Sequence, residues 1–394
     1  MKPWQPAALG AALLITASPA LAGEWTGYVS AEARFFQNDA KDPRQHGGNL
    51  SLAAQPEYYA EWDQGRQSFT FVPFARWDQG DPERSHADIR ELTWLMAADA
   101  WELRAGIRKL FWGVTESEHL VDIINQTDLV ESLDGEEKLG QPMLNLALIR
   151  DWGTLDLFIL PYFRERTFPG GKGRLRFALP VDTSRPEYES SRKERHVDYA
   201  ARWEHSLGDW DVGLSYFHGT SRDPRFTVRD DGQALLPVYD LIQQWGLDLQ
   251  ATLGDWLWKL ETIRRSGQGG PYQAAVGGFE YTFVGIASSF ADLGVIAEYL
   301  YDQRGREALT PFADDLMLGA RLTLNDEQST ELLAGLIVDL KDDSRVLTLE
   351  SSRRLGDSWK ISLEGYLFQN IAINDFLYSL RRDDYIQLEV ARYF

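Results

Sequence analysis

Alternation of apolar with polar side chains, sustained over strand-length segments from one end of the chain to the other, leaves few folds open. In EWTGYVSAEARFF, Trp25, Val29, Ala31, Ala33 and Phe35 share one face, with Thr26, Ser30, Glu32 and Arg34 on the other. In LSLAAQPEYYAEWD, Leu50, Leu52, Ala54, Tyr58, Ala60 and Trp62 oppose Ser51, Gln55, Glu57, Glu61 and Asp63. WELRAGIRKLF, DWDVGLSYFHG, WGLDLQATL, SWKISLEGYLF and the final YIQLEVARYF repeat the pattern. Many of these approach the roughly 9 to 11 residues a tilted strand needs to cross a bilayer, where soluble sheets use five or six.

The joints between segments come in two alternating kinds. Short turns stand at 62–66, 97–100, 150–154, 207–210, 253–256, 324–328 and 355–359, and mostly longer polar connections at 37–49, 78–86, 112–142, 163–196, 219–237, 302–311 and 369–383. Short turns on one side and long loops on the other are the asymmetry of an outer-membrane barrel, whose short side is periplasmic. The predicted fold class is therefore an all-β, antiparallel, up-and-down transmembrane β-barrel of about 18 strands. An even strand number leaves both termini periplasmic.

The tetrapeptide LGDW occurs at 207–210 and 253–256, with a near copy, LGDSW, at 355–359. Gly tolerates the positive φ of a tight turn, and Asp bonds its own backbone. Trp210, Trp256 and Trp359 then open the next strand at headgroup depth, where an amphipathic ring is favoured. A propeller also repeats Trp-Asp pairs, at about 40 to 45 residues. Here EWDQG and RWDQG stand 15 apart, and no Gly-His partner recurs at blade spacing.

The ends of the chain agree with export. Residues 1–22 combine Lys2, an apolar run from Ala7 to Ala17 and the small-x-small ending Ala20-Leu21-Ala22. That is the pattern of a cleaved signal peptide, too short to span a bilayer, and it leaves 23–394 as the barrel. With no Cys, a disulfide scaffold, a thiolate metal site and a Cys nucleophile are excluded. A net charge of -20 argues against nucleic acid as a partner. The 14 Trp, 16 Tyr and 19 Phe are many for so polar a chain and call for an interface such as outer-membrane lipid.

If apolar faces meet lipid, the opposite faces line the lumen. The N-terminal half then supplies Arg34, Arg76, Arg90, Arg104 and Arg108 together with Glu32, Glu57, Glu61, Glu91 and Glu102. The face around Arg90 and Glu91 is ambiguous, because DIRELTWLM does not alternate cleanly. Arginines facing acids across a pore would set up a transverse field that orients polar solutes. Neighbouring Arg–carboxylate pairs that neutralise each other are an equal reading, since a wide barrel needs polar filling either way.

Residues 112–141 mix Leu120, Val121, Ile123, Ile124, Leu129, Val130 and Leu133 with many acids. So aliphatic a loop must pack somewhere, and folding into the lumen as a constriction is favoured over lying across the mouth. Its Asp122, Asn125 and Asp128 carry oxygens of the kind Ca²⁺ takes, but their spacing is not that of an EF-hand, and no metal or cofactor is expected. Enzyme signatures are thin: no H-E-x-x-H and no G-x-S-x-G occurs. His196 and His218, with Ser191 or Asp223 near in sequence, are the only hint of a barrel hydrolase, and no enzyme is expected.

The stretch from Asp88 to Ser132 resembles a family of proteobacterial outer-membrane, porin-like β-barrels of unknown function, whose pattern runs R-E-x-Y/W, L-R-x-G-R-Q, W-G and D-x-x-N-P-x-D. The matching positions are Arg90, Glu91 and Trp94; Leu103, Arg104, Gly106 and Arg108; Trp112 and Gly113; and Asp122, Asn125 and Asp128. Lys109 replaces the family's Gln and Gln126 its Pro, which leaves the loop shape after Asn125 open. A weaker similarity to alginate-export barrels implies an 18-stranded channel with an Arg-rich pore. The terminal Phe394 resembles the signal read by the barrel-assembly machinery.

The expected function is passive diffusion of a polar or anionic small solute through a Gram-negative outer-membrane channel. Arg34, Arg76, Arg104 and Arg108 would orient the solute, and the loop holding Trp112, Asp122, Asn125 and Asp128 would set the diameter. The alternatives are a barrel that docks with periplasmic export or lipid-handling machinery, and an outer-membrane hydrolase. Solute identity and the choice between monomer and homo-oligomer stay open.

Overall fold

The computed structural model describes residues 23–394. The expected signal peptide over 1–22 lies outside them. Eighteen antiparallel strands form one sheet in sequence order, and the first, Glu24–Phe36, pairs with both Gly48–Trp62 and the last, Tyr385–Tyr393. Closure leaves no sheet edge unpaired, the condition for a sheet to sit in hydrocarbon.

Burial is inverted relative to a soluble protein. Along the first strand Val29 and Phe35 are about half exposed on the outside, while Glu32 and Arg34 are 4% and 7% exposed on the inside. Aromatic rings gather at both rims of the outer face. Trp25, Trp210, Trp256 and Trp359 stand at the rim that holds the chain ends, and Phe35, Trp77, Tyr199 and Trp245 near the other. These are the two girdles of a membrane barrel.

The turns follow the expected asymmetry. Gly208, Gly254 and Gly356 take φ of 65°, 65° and 60°, so the Gly-Asp dipeptide does make the tight left-handed turn that its repeat suggests. Trp256 stacks on Trp258 at 5.5 Å and lies edge-on to Tyr281 at 4.7 Å, one continuous patch of girdle. Two connections on the long-loop side are short, 268–271 and 340–344, while 284–291 on the opposite side is the longest of its set.

The strand His86–Ala98 explains its own failure to alternate. Val72 pairs with Glu91 but Pro73 pairs with Ile89, so Arg90 is an extra residue in a β-bulge. A bulge re-aims the side chains on one side of it. Arg90 points inward and is 2% exposed. A second, small sheet of Glu187–Tyr188, Arg225–Val228 and Leu235–Tyr239 is built from the long loops.

Candidate solute pathway

The segment 109–140 leaves the strand Trp101–Arg108 and crosses the barrel to the opposite wall. Its aliphatic residues drive this. Val121, Ile123 and Ile124 are essentially buried and pack with Trp112 against Phe158, Phe217, Ile242 and Ile263 from the inner face of the wall. Burying such side chains fully is worth about 1.5–3 kcal/mol each, enough to hold an acidic loop indoors.

Two glutamates on the far wall anchor it. Glu261 accepts the Val114 and Thr115 amides at 2.7 and 3.0 Å, the Thr115 hydroxyl at 2.7 Å and the Val121 amide at 3.1 Å. Glu298 accepts the Glu116 and Ser117 amides at 2.8 and 2.9 Å and the Ser117 hydroxyl at 2.6 Å. Arg321 adds a 2.7 Å bond to Glu116. Alternation places both glutamates on the lumen face, but nothing local says that they bind backbone amides from a loop more than a hundred residues away.

The family-like positions hold the loop's shape. Asn125 accepts the Leu110 amide at 2.9 Å and donates to the Arg108 and Leu139 carbonyls, both at 2.8 Å, which staples the two ends of the loop together. Asp122 pairs with Lys138 at 3.0 Å. Asp128 accepts Arg90 at 2.7 Å, His86 at 3.1 Å and Thr167 at 2.7 Å. Burial would push its carboxyl up, but His86 and Arg90 hold it below the usual range. The oxygens that suggested a cation site thus meet protein donors. Where Pro is absent at 126, Gln126 accepts Arg166 at 3.2 Å and a Thr127–Lys138 bridge closes the turn.

Of the other inward arginines, two share one buried cluster around Glu32. Arg76 binds Glu32 at 3.0 Å and Glu131 at 2.9 Å, and Arg34 binds Gln387 at 2.8 Å with Glu32 at 3.8 Å. Arg84, from the loop 79–85, joins them: it holds Glu32 at 2.7 Å, Asp78 at 2.8 Å and the Val130 carbonyl at 2.9 Å. Neither Arg84 nor Glu131 lies on an alternating strand, so periodicity could not find them. Arg104 pairs with Glu102 on its own strand, and Arg108 donates to Asn145 at 2.9 Å. Both arginines stay partly exposed, as does Glu57, opposite Thr26 in the register.

Between the loop and the wall formed by the strands Asp314–Thr323 to Trp359–Gln369 lies a cavity of about 390 Å³. Elsewhere, His196 bonds Asp198 at 2.8 Å, and the His196 and His218 rings are 6.5 Å apart. Asp223 is held by Arg166 and Arg265 at 2.7 and 2.9 Å.

No family model and no curated protein matches the chain. Among solved structures, three engineered variants of the porin of Rhodopseudomonas blastica are similar to it, each 11% identical with a TM-score of 0.46, covering 94% of this chain and 100% of theirs.

Proposed function

We propose that the protein is a Gram-negative outer-membrane channel for passive diffusion of a small polar solute, with the segment 112–141 as its constriction and both termini periplasmic. The observation that carries this is the crossing of a closed, lipid-faced barrel by one lumen loop fixed to Glu261 and Glu298. Arg104, Arg108 and Glu57 would then meet the solute, since Arg34, Arg76 and Glu32 are spent on each other. Phe394, whose amide bonds the Gly27 carbonyl at 3.1 Å, would serve the assembly machinery. Purified barrels in planar bilayers should give steady, step-like currents. A bilayer holding inserted protein with no current would overturn the reading.

The loop has a pH dependence of its own. Burial alone would lower the His119 imidazole, but Glu136 at 3.6 Å and Glu261 at 3.8 Å outweigh it and hold the group up at about 9, above its ordinary 6.5. A raised group stabilises fully below its unfolded value and loses that contribution as pH rises through the folded one. Conductance noise should therefore increase between pH 8 and pH 10, and that pH-dependent increase should be smaller in His119→Gln. A flat pH profile would remove His119 from the anchoring.

One observation favours docking to periplasmic machinery as a second reading. In the turn 284–291, on the side of the termini, Val284 and Phe290 are 74% and 87% exposed. A photo-crosslinker at 290 should give one discrete adduct in cells. A purely lipid-linked product would count against it.

A further inference from the structure

The outer face of the barrel changes character around its circumference. Eight residues along the strand from each rim tryptophan stands an outward position, Ala33 from Trp25, Leu367 from Trp359, His218 from Trp210 and Arg264 from Trp256. At about 3.3 Å per residue that is about 26 Å of strand, or about 20 Å of height at a tilt of about 40°. The apolar band of a membrane barrel is about 25 Å tall, so all four lie near its far edge. Ala33 is flanked in the register by Leu50 and Leu388, both exposed. One side of the barrel is therefore apolar at this depth, and the side of His218 and Arg264 is not.

The strands Trp210–Thr220 and Trp256–Gly267 are joined through Leu241–Leu253, which carries the band across. His218 stands beside Gln243; Trp245 stands between Tyr216 and Arg264, and Arg264 beside Gln273. Trp245 is 62% exposed while its neighbour Gln244 is 1% exposed, and Arg264 is exposed while Arg265 is buried, so the band faces outward. The carboxylates of these strands and of Tyr272–Phe283, namely Asp211, Asp248, Glu261 and Glu280, alternate to the lumen side. Arg264 consequently has no ion pair and no hydrogen bond among the described residues, and the side-chain amides of Gln243 and Gln273 donate to nothing. The band offers a cation and several donors at the membrane surface with no anion to meet them.

We propose that this band binds the phosphorylated glycolipid of the outer leaflet, lipid A, with Arg264 on a phosphate and Gln243 and Gln273 donating to its oxygens. The proposal rests on the outer-membrane reading, with the long loops outside. A guanidinium presents paired N–H donors that match a phosphate, and such charge-assisted bonds are the strong ones. A charge near the interface costs a barrel only about 0–1 kcal/mol, so Arg264 can wait there unpaired and still gain from a phosphate. A second copy of the chain is a poorer occupant. A two-fold contact sets the same patch against itself, and this patch carries no acid to answer its arginine.

Native mass spectrometry of the purified barrel with bis-phosphorylated lipid A, its dephosphorylated form and phosphatidylglycerol tests this. The phosphorylated form should be retained about tenfold more than the dephosphorylated one, and Arg264→Gln should abolish most of that preference. Arg345→Gln, at an exposed outward arginine on the strand Arg345–Leu355, should change it by less than about twofold. Neither arginine has a side-chain partner, so the heat-modifiable gel shift of the folded barrel should be the same in both variants. Equal retention of the two lipid A forms, a preference that survives Arg264→Gln, or phosphatidylglycerol held as tightly as lipid A overturns the proposal. Barrels carrying Arg264→Cys should stay uncrosslinked under oxidant; disulfide-linked pairs would give the band to a second copy and overturn it too. Cell fractionation tests the reading beneath. A barrel missing from the outer membrane removes that reading, and one found there with no phosphate preference removes only the proposal.

Discussion

Replacing residues 113–138 by a short Gly-Asp turn raises open-channel conductance several-fold, if the loop is the narrowest part of the path. The deletion removes the whole element that crosses the lumen, and the wall it leaves is polar enough to be wetted at Glu261, Glu298 and Arg321. A gentler variant separates bulk from anchoring. In Glu261→Gln one oxygen still accepts, but the new NH₂ faces amide donors at the Val121 side, where Glu261 now takes a 3.1 Å bond. Hydrogen bonds to a charged acceptor contribute about 1.5–3 kcal/mol each, so losing the charge at the hub of four such bonds should let the loop leave its seat for part of the time. The expected signature is a flickering current with larger openings, measured in single-channel records. An unchanged or lower conductance in the deletion would place the constriction elsewhere, in the loops 161–197 or 221–240.

The barrel itself is legible because its physics is periodic. Val29, Phe35, Leu50 and Leu52 face out, and Glu32, Arg34 and Ser51 face in, as alternation requires. The Gly-Asp-Trp turns are local chemistry and fall where the repeat puts them. What alternation leaves ambiguous is the strand with the bulge at Arg90, since one inserted residue shifts the phase for everything after it. What it cannot see is pairing at a distance. Glu32 and Arg84 are 52 residues apart, and Val114 and Glu261 are 147 apart. Nothing in either neighbourhood signals the other. Which inward arginines remain open to the lumen lay equally out of reach, because counting them does not tell which already hold a carboxylate.

Glu32→Gln is expected to destabilise the barrel by about 3–5 kcal/mol, the cost of leaving buried guanidinium groups without their partner. Glu32 is the hub of a closed cluster. Arg84 binds it through both terminal nitrogens at 2.7 and 2.9 Å, Arg76 at 3.0 Å, and Arg34 stands at 3.8 Å. With Asp78 and Glu131 the cluster holds three cations and three anions, and their side chains are no more than 8% exposed. Glutamine keeps the shape and leaves a net positive charge with little water to screen it. The matched control is Glu61→Gln, at an exposed position, which should stay within about 0.5 kcal/mol of the parent. Urea unfolding read by the heat-modifiable gel shift of folded barrels measures both. Adding Arg84→Gln to Glu32→Gln should recover part of the loss, because the pair is removed together and the remaining charges balance. Arg84 also holds the Val130 carbonyl, so the same variant should loosen the near end of the lumen loop and raise current noise. A loss below about 1 kcal/mol would mean that water reaches the cluster and that its ion pairs behave as surface ones.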